Sequence, residues 1–250
     1  MIKIPVMSGV IDRRLLVNYR VDPEALAPML PPPFRPKRMR GMAVAGICLI
    51  RLKNVRPQWL PGWLGLSSEN AAHRAAVEWD SDDGVREGVY VRRRDTNSRL
   101  NALVGGRLFP GVHSHARFAV NESRGAMEVE MKSDDGQAAI FVRGRRSDQW
   151  PASSVFPSLA EASDFFAAGS LGYSDSRRGG RYDGLELRCC RWEAQPLHVE
   201  EVRSSMFDDA SLFPAGSVEF DCALLMEGIE HEWHSRETLC CENSTESSIK

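Results

Sequence analysis

The chain has 250 residues, of which 42% are apolar and 26% charged, enough to bury a core as one large domain or two small ones. A formal net charge of -2 and a pI near 6.3 argue against a general nucleic-acid or anionic-membrane binder, which carries a basic excess. No run approaches the roughly 18 uninterrupted apolar residues of a membrane span. The opening MIKIPVMSGV lacks the organisation of a signal peptide.

The cysteines, Cys48, Cys189, Cys190, Cys222, Cys240 and Cys241, show no CxxC spacing, so no zinc knuckle is expected, and the reading is a cytoplasmic protein with reduced thiols. In chain order, Leu15 to Tyr19 is a short apolar strand. Asp22 followed by Pro23 is an N-cap and first-turn pair opening a short helix to Leu30, which the prolines 31–33 end. Gly41 to Val55, mostly apolar and rich in Val and Ile, reads as a buried strand. Pro57 to Gly65 is a Trp- and Pro-rich connection.

Ser68 to Trp79 and Val85 to Arg92 flank Asp83-Gly84, and Met127 to Lys132 and Ala138 to Arg143 flank Asp135-Gly136; both patterns predict hairpins. Asn97 to Val104 reads as a helix that must turn sharply at Gly105-Gly106. Ser158 with Glu161 forms a capping box, so Pro157 to Ala168 is a helix stopped by Gly169. Short strands follow at Leu185 to Trp192, Leu197 to Val202 and Val218 to Leu225, and a polar tail fills 240–250. Many short strands, few helices and no βαβ alternation predict an α+β protein built on antiparallel sheet, which with this many strands tends to curl or close around a concave interior.

The stretch that concentrates chemistry is Arg94 to Phe118, RDTNSRLNALVGGRLFPGVHSHARF. By the period of a strand, His113, His115 and Arg117 share one face, and Ser114, Ala116 and Phe118 the other. Neither histidine can then easily act as base for Ser114, and no GxSxG elbow exists, so a serine hydrolase is a poor reading. HxH with Glu69 and His73 offers ligands for a metal, but without a third ligand at tight spacing the expectation is no metal and no cofactor. Among the arginines, Arg107 is the one expected to point inward and hold an anion, and Arg92 to Arg94 are read as a solvated run. Trp59, Trp63, Trp79, Trp150 and Phe109 are read as core rather than as a ligand site.

Two segments carry a resemblance. VNYRVDPEALAPMLPPPF, Val17 to Phe34, resembles the N-terminal strand, helix and proline exit of acetoacetate decarboxylases, and GGRLFPGVHSH, Gly105 to His115, resembles their G-R-E-x-x-x-x-P-K-K motif. GLSSENAA, Gly65 to Ala72, resembles the segment with their active-site glutamate. With RRDTNSRLN and SSENAAHR, the closest likeness is to the uncharacterised bacterial domain of unknown function 2071 family of that superfamily. The resemblance implies a single domain over residues 1–239, a cone of strongly curved antiparallel sheet around an internal pocket with helices outside, and is compatible with a homo-oligomer. It puts Glu69 on the glutamate and Arg107 on the motif arginine. It also puts Ser114 on the Schiff-base lysine, His115 on the second lysine, Leu108 on the motif glutamate and His113 on the motif proline.

Serine cannot form the iminium, and the only lysines are Lys3, Lys37, Lys53, Lys132 and Lys250. The expectation is therefore a protein that binds or transforms a small carboxylate or carbonyl compound without lysine chemistry. In it Glu69, Ser114 and His115 serve as catalytic candidates, and Arg107 and His113 as ligand-binding candidates. Two alternatives stand beside it. One is a non-catalytic module whose pocket is plugged by apolar side chains, with Glu69 paired to a local arginine. The other is a metal-dependent lyase or hydrolase using Glu69 and histidines.

Overall fold

A computed structural model describes residues 5–106, 110–177 and 179–240. In chain order the elements are β1 (Met7–Val21), α1 (Pro23–Leu26), β2 (Arg35–Pro36), β3 (Arg38–Met39), β4 (Met42–Pro57), β5 (Leu66–Ser81) and β6 (Gly84–Thr96). They continue with α2 (Arg99–Val104), β7 (Ser114–Ser123), β8 (Ala126–Ser133), β9 (Ala139–Arg146), α3 (Leu159–Ala168), β10 (Leu171–Asp175), β11 (Arg181–Cys189), β12 (Gln195–Ser204) and β13 (Val218–Cys240).

Local signals set many boundaries. Asp22 accepts a hydrogen bond from the Glu24 amide at the head of α1, Ser98 from Asn101 at the head of α2, and Ser158 from Glu161 at the head of α3. Both Asp-Gly turns join antiparallel neighbours, β5 to β6 and β8 to β9. Two strands run well beyond the sequence reading. β1 begins at Met7, because Arg13, which breaks the apolar run, is only 1% exposed and ion-paired. β13 continues fifteen residues past Leu225 to Cys240 through a charged stretch, held by β1 on one edge and β11 on the other. The short β10 has no equivalent in that reading, and β6 pairs in parallel with both β10 and β7.

These pairings close the sheet twice. One ring runs β5-β6-β7-β8-β9-β12-β13-β1-β4 and has nine strands. The second runs β5-β6-β10-β11-β13-β1-β4 and has seven. Five strands, β13, β1, β4, β5 and β6, are common to both. Alternate residues of this shared wall therefore face two different compartments. On β4, Ala45, Ile47 and Leu49 join one core cluster, while Val44, Cys48 and Ile50 join the other. Burial on both faces explains why β4 reads as an unbroken apolar run rather than an alternating one.

The nine-strand ring is filled. Leu15, Val17 and Leu49 of the wall meet Met131 of β8, Ile140 of β9 and Phe207. One end of it holds an ion-pair network. Arg13 donates to Glu69 at 2.6 Å and also to Glu122, and Arg51 donates to Glu69 at 2.5 Å and to Glu122 at 3.1 Å. The second face of the wall is covered in part by α3, through Phe165 and Phe166 with Phe156.

Two predictions follow from the packing. Glu69→Ala leaves the buried Arg13 with Glu122 alone and is expected to cost about 3 kcal/mol, seen as a lower urea midpoint with unchanged slope. Replacing Arg13 and Glu69 together by methionine should recover most of that loss. His73, 1% exposed, has neither ring nitrogen hydrogen-bonded among the described residues, and burial, with the charges of Arg93 and Arg92 adding, pushes its pKa down to about 4. Below the ordinary histidine pKa the unfolded chain takes up a proton that the folded chain refuses, so stability falls as pH drops from about 6.5 to about 4, by roughly 3 kcal/mol for this group. His73→Leu should flatten the fall in thermal midpoint across that window, and an unchanged slope would refute the assignment.

Candidate functional site

The seven-strand ring encloses a cavity of about 330 Å³, lined from every one of its strands, from α2 and from His113. Cross-strand register orders its wall from mouth to floor. Val55 opposite Leu66 comes first, then Leu52 opposite Ser68. The next row is Arg14, Ile50 and Asn70, followed by Cys48, Ala72 and Arg94, and finally Arg74 beside Val91. Leu66 and Leu100 are 48% and 51% exposed, which marks the open end, whereas Arg74, Cys48, Leu185 and Leu187 are buried.

Three guanidinium groups converge on the inner half, and among the described residues none of them meets a carboxylate. Arg14 donates from Nε to the Cys48 Sγ at 3.4 Å and stacks over Trp192. Arg74 donates to the Asn18 side-chain oxygen at 2.6 Å and lies over the Phe166 ring, 4.9 Å from its centroid. Arg94 donates from Nε to the Ser174 hydroxyl at 3.0 Å. Burial pushes the pKa of Arg74 down to about 10, and the nearby charge of Arg14 pushes the same way. Burial does the same to Arg94, also to about 10. Asp95, the carboxylate among the described lining residues, is held by Arg93 at 2.8 and 2.9 Å and leaves the three arginines uncompensated.

His113 joins this group from the turn after α2. Its Nδ1 donates to the Gly111 carbonyl at 3.0 Å, which fixes the tautomer, and burial, with the charge of Arg94, pushes its pKa down to about 4. The imidazole is therefore neutral at physiological pH. Gly105 makes room for it, since a Cβ there would lie 2.5 Å from His113 Nδ1. Gly111, at φ +81°, lets the chain turn back toward Arg94.

Of the residues singled out in the sequence, His113 lines this cavity. Glu69 sits between Ser68 and Asn70 on β5 but points to the other face of the wall, into the Arg13–Arg51–Glu122 network. Ser114 has the strand parity of Ala116, whose side chain joins the nine-strand core, while His115 faces outward and donates from Nδ1 to Asp134 at 2.7 Å. Glu69, Ser114 and His115 are thus not brought together with His113. Arg107 and Phe109 lie outside the described residues. The run Arg92 to Arg94 splits three ways: Arg92 is exposed, Arg93 pairs with Asp95 and Asp135, and Arg94 enters the cavity. A register shift between His73 and Arg74 changes the parity there, and no sequence signal marks it. Arg74 lies within the SSENAAHR segment, two and four residues beyond Ala72 and Asn70, so alternation from Asn70 would have found it. Of the aromatic residues, Trp79 is buried but Trp59 and Trp63 are 74% and 82% exposed.

The described lysines are engaged outside the cavity lining. Lys37 pairs with Glu87, Lys53 with Asp12 and Lys132 with Glu130, and none lines the cavity. Among the described residues no three His, Cys, Asp or Glu side chains gather in a metal-binding arrangement, and no helix is long and apolar enough to cross a membrane.

The fold has solved counterparts. An acetoacetate decarboxylase from Legionella pneumophila superposes with a TM-score of 0.60 at 11% identity, covering 92% of this chain and 86% of that one. An acetoacetate decarboxylase-like enzyme from Sphingomonas wittichii RW1 gives 0.57 at 10% identity, covering 95% of both chains. The enduracididine biosynthesis enzyme MppR, in complex with pyruvate, gives 0.55 at 14% identity, covering 94% of this chain and 89% of that one. At these identities the likeness is one of fold. No curated protein matches the sequence. The profile of DUF2071, described as an uncharacterized conserved protein, matches residues 11–229, and the chain belongs to that family.

Proposed function

We propose that the protein binds a small organic anion, a carboxylate or carbonyl compound, in the cavity of its seven-strand ring, and that any chemistry on that ligand proceeds without a lysine iminium. The observation that carries this reading is the convergence of Arg14, Arg74 and Arg94 on one cavity with no carboxylate among the described residues to neutralise them. Burying a cation without a counter-charge is costly, and an anion entering the cavity relieves that cost while gaining charge-assisted hydrogen bonds. A guanidinium fork suits a planar carboxylate. That a protein of the same fold has been seen with pyruvate supports the ligand class.

The non-catalytic reading draws on Glu69, which is paired with Arg13 and Arg51 and faces away from the cavity. The open cavity favours a ligand instead, because a vestigial one would be filled by the chain's own apolar side chains, as the nine-strand ring is.

Pyruvate, acetoacetate and benzoate, titrated by calorimetry and by thermal shift, provide the test. At least one is expected to bind and to raise the thermal midpoint in proportion to the logarithm of its concentration. Arg94→Met should weaken that ligand about tenfold to a hundredfold, the loss of one hydrogen bond to a charged group, while the unliganded midpoint stays level or rises. Failure of every carboxylate to bind would overturn the reading. Borohydride added with pyruvate is expected to leave the protein mass unchanged, and a trapped adduct on a lysine would refute the absence of iminium chemistry.

A further inference from the structure

The cavity is polarised along its length, and on the reading that it holds an organic anion this polarity defines the shape of the ligand. All three uncompensated guanidinium groups lie in the inner rows, with Cys48 and His113 at the same depth. The outer rows are apolar on opposing sides: Leu52, Val55 and Leu66 from β4 and β5 face the same space as Leu100 and Val104 of α2 and Trp233 of β13. The polar side chains at that level and in the Arg14 row next to it are already engaged with one another. Asn70 donates to the Ser68 carbonyl at 3.2 Å and to its hydroxyl at 3.0 Å, and Asn101 donates to the same hydroxyl at 3.4 Å. The outer half therefore presents hydrocarbon to whatever occupies it.

From the Ala72 row to the Leu66 row the wall of β5 spans six residues, about 20 Å at the rise of a strand, with Leu66 and Leu100 flanking the exit. A compact ligand such as pyruvate would occupy only the inner end and leave the apolar rows wetted.

We infer that the ligand is an amphipathic monocarboxylate, bound head inward at Arg14, Arg74 and Arg94, with an unbranched or aryl apolar body lying along Leu52, Val55, Leu66 and Leu100 toward the mouth. A second charge at the far end of the ligand would lie against those apolar residues. The site therefore selects one charged end and one apolar end, and ligand length is set by the distance from the arginine rows to the mouth.

Calorimetric titration of the intact protein with the straight-chain series from acetate to decanoate, each below its micelle concentration, tests this directly. Affinity is expected to tighten about fourfold per added methylene until the chain reaches the mouth, and then to level off. Sebacate, which carries a second carboxylate at the far end of the same chain, is expected to bind at least tenfold more weakly than decanoate. Decanol, which lacks the head, should also bind at least tenfold more weakly. Leu66→Asp, at a half-exposed position, should flatten the length dependence, while Leu103→Asp, exposed and not lining the cavity, should leave it as in the parent. Affinity that stays flat along the series, or sebacate binding as tightly as decanoate, would overturn the inference while short carboxylates still bound. Failure of every member to bind would overturn the anion reading beneath it as well.

Discussion

Everything in this structure depends on a five-stranded wall that is buried on both sides. β13, β1, β4, β5 and β6 belong to two closed rings at once, which is possible because the free edge of β13 passes from β12 to β11 and the free edge of β6 passes from β10 to β7. Each edge of the wall thus carries two partner strands along part of its length, and no residue on it is neutral with respect to side. A slip of one residue in register would exchange the contents of the two compartments. It would send Glu69 into the cavity and Asn70 into the filled core. Fourteen register pairs between β1 and β13, and thirteen between β1 and β4, oppose such a slip.

The same wall explains why one ring is full and the other hollow. The longer arc, β7-β8-β9-β12, brings Met127, Val129, Met131, Ile140 and Val142 against it, and Phe207, stacked on Tyr19, with Phe213, stacked on Phe207, closes the remaining space. The shorter arc, β10-β11, contributes Gly172, Leu185 and Leu187, too little volume to reach across. α3 seals only part of that face, with Phe166 resting on the Arg74 guanidinium. The space left over is the cavity, and the wall residues that face it include Arg14, Arg74 and Arg94, with no carboxylate paired to them among the described residues, whereas on the other face Arg13 and Arg51 are paired with Glu69. Packing density is thus decided by the arcs, and polarity by the parity of the wall.

That division also determines what could be read from the sequence. Turn and cap signals are local, and the hairpins at Asp83-Gly84 and Asp135-Gly136 and the caps at Asp22 and Ser158 appear where the sequence puts them. The curved, largely antiparallel sheet with few helices, and the likeness to acetoacetate decarboxylases, were legible for the same reason. The site was legible only in its segment. GLSSENAAHR does border the cavity, but through Ser68, Asn70, Ala72 and Arg74, not through Glu69. Alternation assigns residues to two faces without saying which face is hollow, because that depends on arcs far away in the chain. Arg94 was hidden for a different reason: its face follows from lying opposite Ala72 of β5, a pairing that alternation within one strand does not supply, and the register shift just beyond it puts Val91 rather than Arg92 beside Arg74. The charged second half of β13 escaped notice because its outward side chains answer partners on other strands, such as Glu186 for Arg236.

That the basic groups lining the cavity are guanidinium groups rather than amines carries a chemical consequence. Desolvation disfavours the charged form of any base, and a lysine in such a place loses its proton and becomes a nucleophile. An arginine starts so much higher that the same burial, strong enough to bring Arg74 and Arg94 down to about 10, still leaves both charged at neutral pH. The environment that elsewhere makes a reactive amine makes here a fixed positive field, with no lone pair to attack a carbonyl and no means of discharging itself by losing a proton. A field of that kind is what the proposed anionic ligand would neutralise. The cost of keeping it unoccupied is borne by a wall packed on both faces and held by long antiparallel registers, and that surplus of constraint is what allows three like charges to stand in one cavity.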